Sequence, residues 1–213
     1  MTKQNKKKTA RFLNIAGEIL IVMSIFGLFL TFGPVISHEL TYHTRKVMGV
    51  KYTADRKMGI SDDKQIVLEP PNLDFSIIIP EIGAVAPIIA NVDPGNPDIF
   101  LPALRRGVAH AEGSALPGES GNVYLFAHST DAFYNVGNNN AVFYLIGKLN
   151  KGDEIDIYYK GTKHIYSVDY KKVVEPEASK YLGDISKTNT LTLQTCYPPG
   201  TTLKRLVVVA SNK

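Results

Sequence analysis

Leu191-Thr192-Leu193-Gln194-Thr195-Cys196-Tyr197-Pro198-Pro199-Gly200-Thr201-Thr202-Leu203-Lys204-Arg205-Leu206-Val207-Val208-Val209-Ala210 reads as two β-strands about one turn. Leu191 and Leu193 alternate with polar neighbours, the period of two expected of a half-buried strand. Pro198-Pro199-Gly200 then forces a turn, because proline fixes φ and glycine accepts backbone angles other residues resist. A hairpin centred near Pro199 and Gly200 sets Cys196 opposite Leu203 and Gln194 opposite Arg205. Gln194, Cys196 and Arg205 then share one face, with Arg205 diagonal to Cys196 at roughly 7–8 Å in backbone terms, a distance a guanidinium spans. One hairpin is predicted to present a thiol beside a permanent cation.

Outward from that hairpin the texture is the same. From Leu73 on, short apolar segments are punctuated by Pro, Gly, Asn and Asp. Phe75, Ile77 and Ile79 alternate, as do Tyr124 and Phe126, then Ile155 and Ile157, which predicts half-buried strands. Two short stretches read as helix instead: 99–105, and 141–149, where Val142, Leu145, Ile146 and Leu149 recur at helical spacing. Many short strands without long alternating helices predict an all-β barrel or sandwich.

The N-terminal third differs. Residues 12–36 are apolar apart from Asn14 and Glu18 near their start, and a helix of that length spans roughly 37 Å, enough to cross a bilayer. Lys3, Lys6, Lys7, Lys8 and Arg11 precede it, which predicts a cytoplasmic N-terminus and an extracellular remainder. No small-x-small site follows at Ser37-His38-Glu39, so a retained anchor is expected rather than a cleaved signal peptide. Residues 37–72 are mixed, polar and without sustained period, ending in Pro70-Pro71, and read as a linker. The expected plan is a basic tail (1–11), an anchor (12–36), a linker (37–72) and an extracytoplasmic domain (73–213).

Charge bounds the function. The formal net charge is +4, yet from Asn72 to Lys213 there are 13 Lys plus Arg against 14 Asp plus Glu. The domain therefore lacks the cationic excess with which a protein displaces counterions from phosphates, and nucleic acid is not an expected partner. Cys196 is the sole cysteine, which excludes an intramolecular disulfide and a cysteine-rich zinc site, and no metal or other cofactor is expected.

A lone cysteine is ordinarily a buried apolar thiol. Arg205 changes its chemistry, since a nearby cation favours the nucleophilic thiolate and a guanidinium can hold the oxyanion formed at an attacked carbonyl. An acid or base is the missing member, and histidine suits neutral pH. His38 and His43 lie next to the anchor and His164 beside Lys163, in solvated settings. His128, closing the apolar run Asn122-Val123-Tyr124-Leu125-Phe126-Ala127, and His110, after Gly107-Val108-Ala109, are both candidates by position.

Taken together these blocks resemble the sortase family. Ile77-Ile78-Ile79-Pro80-Glu81-Ile82-Gly83 and Ala86-Pro87-Ile88 are similar to its first strands. Gly107-Val108-Ala109-His110, Pro117-Gly118-Glu119-Ser120-Gly121-Asn122 and Phe126-Ala127-His128 resemble the run leading to its catalytic histidine. Leu191-Thr192-Leu193-Gln194-Thr195-Cys196 with Arg205 is similar to its T-L-x-T-C and arginine elements. The resemblance covers about residues 73–210 and implies a closed eight-stranded β-barrel with short helical connections behind one transmembrane helix.

It implies further that Cys196 attacks a sorting-signal peptide of surface proteins, of the L-P-x-T-G kind, and forms a thioester. His128 would protonate the leaving amine, Arg205 would hold the oxyanion or the substrate backbone, Thr195 would support the nucleophile or the signal peptide, and His110 would line the site. An amine of the cell wall or a pilin would then take the acyl group. Ser129 stands where many relatives carry arginine, and the segment 131–140 is longer than the family pattern, so subclass and signal sequence stay open. Two alternatives differ in chemistry: a hydrolytic cysteine peptidase of the same fold, and a catalytically silent anchored β-domain serving adhesion or scaffolding.

Overall fold

The computed structural model describes residues 3–54, 65–129, 142–177 and 189–213. A 46-residue helix, α1 (Lys3–Met48), opens the chain. Its segment Arg11–Phe29 is long and apolar enough to cross a membrane. Phe12, Leu20, Ile21, Phe26 and Phe29 are exposed along it, so no protein surface covers this apolar stretch. A helix apolar all round needs a non-aqueous setting, which the bilayer supplies.

Past the apolar segment α1 continues without a break and docks on the domain. Tyr42 is 6% exposed and joins the main core. Arg45 donates to the Glu81 carbonyl, Lys46 pairs with the Glu81 carboxylate at 3.1 Å, and Lys148 pairs with Glu39 at 3.1 Å. Much of the stretch read as linker is therefore ordered. Residues 37–48 are helix, and β1 (Lys51–Thr53) pairs in parallel with β2 (Gln65–Val67) as a separate two-stranded sheet.

The expected barrel follows. Strands β3 (Phe75–Ile79), β4 (Ala84–Val92), β5 (Val108–Ala111), β6 (Asn122–Phe126), β7 (Glu154–Tyr159), β8 (Thr162–Val174), β9 (Thr190–Tyr197) and β10 (Lys204–Asn212) close in the order β10-β8-β7-β3-β4-β5-β6-β9. Pairs β4–β5 and β6–β9 are parallel and the others antiparallel. The β4–β5 crossover is α2 (Pro97–Leu104), close to the predicted 99–105. Asn96 caps it, its side chain accepting from the Asp98 N–H at 3.0 Å, and Pro97 occupies the first turn, where a missing N–H costs nothing.

Two local expectations change. The stretch expected to be helix at 141–149 is, from Val142 on, a run of turns ending in one 3-10 turn, Ile146–Lys148. Its bonds run from Lys148 N–H to Leu145 O and from Leu149 N–H to Ile146 O. A three-residue repeat aligns i with i+3, so Ile146 and Leu149 both point inward, and Val142 in the turns before them is buried as well. Strands β3 and β6 are buried at every position rather than half-buried. For β6 the cause is two layers. Val123 and Leu125 enter the barrel interior with Leu191, Leu193, Leu206 and Val208. Tyr124 and Phe126 point outward and are roofed by Ala103 and Leu104 of α2.

Candidate active site

β9 lies between β6 and β10, and Cys196, Arg205 and His128 fall on these three strands or their extensions. Odd residues of β9 face the interior, so Gln194 and Cys196 face outward beneath α2. On one side, β10 pairs Arg205 directly with Cys196 and Val207 with Gln194. The predicted register is therefore off by two residues, because the turn takes up residues 198–203 rather than a tight Pro-Gly reversal. Thr201 closes that turn, its N–H and hydroxyl both donating to the Pro198 carbonyl at 3.0 and 2.8 Å. An even slip preserves faces, so Arg205 stays on the side of the thiol and moves from diagonal to opposite.

On the other side, the parallel β6–β9 ladder runs from Asn122↔Thr190 to Phe126↔Gln194. Two features fix its register. The Thr190 and Thr192 hydroxyls donate to the buried Asn122 side-chain carbonyl at 3.2 and 2.9 Å. At the far end the Ala127 N–H donates to Gln194 O at 3.1 Å, and the Thr195 hydroxyl donates to Ala127 O at 2.9 Å. His128 follows Ala127 directly and lines the same groove as Cys196.

His128, Cys196 and Arg205 line one groove of about 520 Å³, with Phe100, Leu101 and Leu104 of α2 as its wall and Gln194 and Thr195 in its lining. Tyr124 also lines it and donates its hydroxyl to Gln194. Burial pushes that phenol well above its usual range, and the positive charge of Arg205 pulls the other way, so the guanidinium field reaches across the lining. Arg205 Nη1 donates to the carbonyls of Thr202 and Lys204, both at 3.1 Å, which orients the guanidinium. The groove thus gathers a thiol, an imidazole and a guanidinium in one lining beside an apolar wall, a set of groups suited to attack on a carbonyl of an extended peptide.

His110 is not brought to the groove. It sits on β5, 3% exposed, its Nδ1 accepting from the Asn91 N–H at 3.3 Å and its Nε2 donating to the Ala115 carbonyl at 3.0 Å. An N–H donor on one side and a carbonyl on the other fix the Nε2–H tautomer. Burial holds its pKa below the usual range, partly offset by the Ala115 bond.

A second groove, of about 260 Å³, also reaches the thiol. Cys196 and Thr195 line both. The second is bounded by Glu39 of α1, Ser129, Tyr144, Lys148, Tyr197 and Pro199. Sequence reasoning missed Glu39 altogether, since only the docking of α1 brings it within reach. Gln194 was legible as sharing the face of Cys196 but carried no chemical signal of its own, and Tyr124 was legible only as a strand residue.

A sequence model of the sortase domain matches residues 77–213. Sortase D of Bacillus subtilis (strain 168) is 28% identical over 120 residues, a match covering 56% of this chain and 52% of that protein. The chain thus matches about half the length of this curated relative. Among solved structures, a Sortase D5 transpeptidase of Clostridium perfringens is 28% identical with a TM-score of 0.54, covering 66% of this chain and 78% of that one. Sortase C-1 of Actinomyces oris is also 28% identical, with a TM-score of 0.55, over 65% of this chain and 73% of that one.

Proposed function

The chain belongs to the sortase family, and from that premise we propose that it is a membrane-anchored cysteine transpeptidase acting on the sorting signal of surface proteins. The observation that carries this reading is the single groove lined by His128, Cys196 and Arg205.

An extended signal peptide lies along the groove against Phe100, Leu101 and Leu104, with its scissile carbonyl over Cys196. The thiolate attacks that carbon, and the oxyanion is stabilised by the Arg205 guanidinium, a fixed charge that needs no reorientation. His128 gives its proton to the leaving amine as the C–N bond breaks, leaving a thioester on Cys196. Gln194, held by Tyr124, offers its remaining amide N–H groups to the peptide backbone. A primary amine of the cell wall or a pilin then takes the acyl group. Thr195 acts by pinning the Ala127 carbonyl and hence the start of the His128 segment.

The test uses the full chain in detergent with an L-P-x-T-G-type peptide and a primary amine. The expected result is a thioester adduct on Cys196 by mass spectrometry, converted to the amide product and abolished in Cys196→Ala. Absence of any adduct, with Cys196 alkylated only after unfolding, would favour a silent scaffold. An adduct released only to water at every amine concentration would assign a peptidase.

A further inference from the structure

We infer that the second groove at Cys196 admits the acceptor amine, and that the docked end of the anchor helix supplies one of its walls through Glu39. This rests on the transpeptidase reading above.

The two grooves share Thr195 and Cys196 in their linings. With the acyl part of the donor in the first, the second is the remaining described approach to the thioester carbonyl. Acylation run backwards is attack of an amine on the same thioester carbon, so the groove that releases the leaving amine is suited to admit the acceptor as well. Its lining has the polarity an amine needs. Ser129 is 1% exposed, and its hydroxyl has no hydrogen-bond partner among the described residues, which is costly unless a ligand supplies one. Glu39 adds a carboxylate, facing Lys148 at 3.1 Å and His43 at 3.5 Å. Tyr144 also bonds Glu39, and its phenol is raised by burial first and by that carboxylate second. The Glu39–Lys148 pair is part-exposed, so an arriving ammonium group can share the carboxylate.

In the transfer step the arriving ammonium first gives one proton to solvent water, and the neutral amine nitrogen then attacks the thioester carbon. The C–N bond forms, the C–S bond breaks, sulfur leaves as thiolate, and the surplus ammonium proton passes to the His128 imidazole. The net change is thioester plus amine to amide plus thiol.

The experiment measures product partition in the full chain in detergent, with a sorting-type peptide as donor and glycinamide as acceptor. Amide and acid products arise from one acyl-enzyme, so their ratio does not depend on the acylation rate or on the fraction of folded protein. Ser129→Ala and Glu39→Gln are each expected to lower the amide-to-acid ratio at fixed glycinamide by about tenfold, the loss of one hydrogen bond or charge contact. An unchanged ratio in both variants, with the thioester still forming, would overturn this inference alone. A wild-type chain that forms no thioester would instead overturn the transpeptidase reading beneath it.

Discussion

Arg205 is the residue at which geometry and chemistry are most tightly joined, because it sits directly across the ladder from Cys196. Arg205→Ala is expected to lower kcat/KM on a sorting-type peptide by about 10²–10³-fold, the scale of losing one oxyanion donor. Arg205→Lys should recover only part of this, since an ammonium lacks the planar fork. Thr195 acts one step removed. Thr195→Val keeps the shape but leaves the Ala127 carbonyl without its 2.9 Å donor, which should cost about 1–2 kcal/mol in chemical denaturation, while Thr195→Ser should restore it. His110 matters to stability through pH. Its folded pKa lies below the unfolded value because burial disfavours the imidazolium, so the unfolded chain binds the proton first as pH falls. The stabilisation is complete above the unfolded pKa of about 6.5 and drains away below it. Thermal melts between pH 8 and pH 5 should therefore show a downward slope below that point, and His110→Gln should flatten it. Which of the two histidines joins the thiol was not decidable from spacing, because both end short apolar runs. Among the described residues His128 lines the groove with Cys196 and His110 does not, and the strand that leads to His128 meets β9 across nearly seventy residues of sequence.

At the scale of elements, close approach governs more than side-chain choice. A Cβ on Gly107 would lie 2.3 Å from the Pro87 backbone carbonyl, where β5 starts alongside β4. Backbone cannot swing aside as a side chain can, so Gly107→Ala should destabilise by about 1–3 kcal/mol, read as a lower denaturation midpoint. The strands themselves were legible, because alternation and turn residues mark them locally. The hairpin register was not. A Pro-Pro-Gly turn was read as tight, whereas residues 198–203 all lie in the reversal, and Arg205 moved two places along its partner. Its face survived because the slip was even. The stretch 142–149 was misread for a related reason: inward positions three apart do not separate a 3-10 turn from an α-helix. Full burial of β6 was hidden too, since the outer cover comes from α2, an element distant in the ladder.

For the whole molecule the decisive feature is that α1 is one helix from its apolar segment to its docked end. Composition revealed the apolar helix but not the docking, because Tyr42, Arg45 and Lys46 find their partners in a domain that sequence reading set apart from them. Removing the buried ring by Tyr42→Ala should loosen that end, and limited trypsin digestion of the full chain in detergent should then cut after Arg45 and Lys46 where the native protein resists. A stiff rod that is both post and fitting also has a phase. Each added residue lifts the barrel by about 1.5 Å and swivels it by about 100°. Inserting one residue between Ile36 and Glu39 would leave the fitting in its socket, because both follow the insertion, and would turn the whole barrel by about 100° against the apolar segment, whereas seven residues, nearly two whole turns, would move it about 10 Å further along the axis with only about 20° of net turn. Height and facing of the barrel relative to the apolar segment can in this way be varied while the fitting stays engaged.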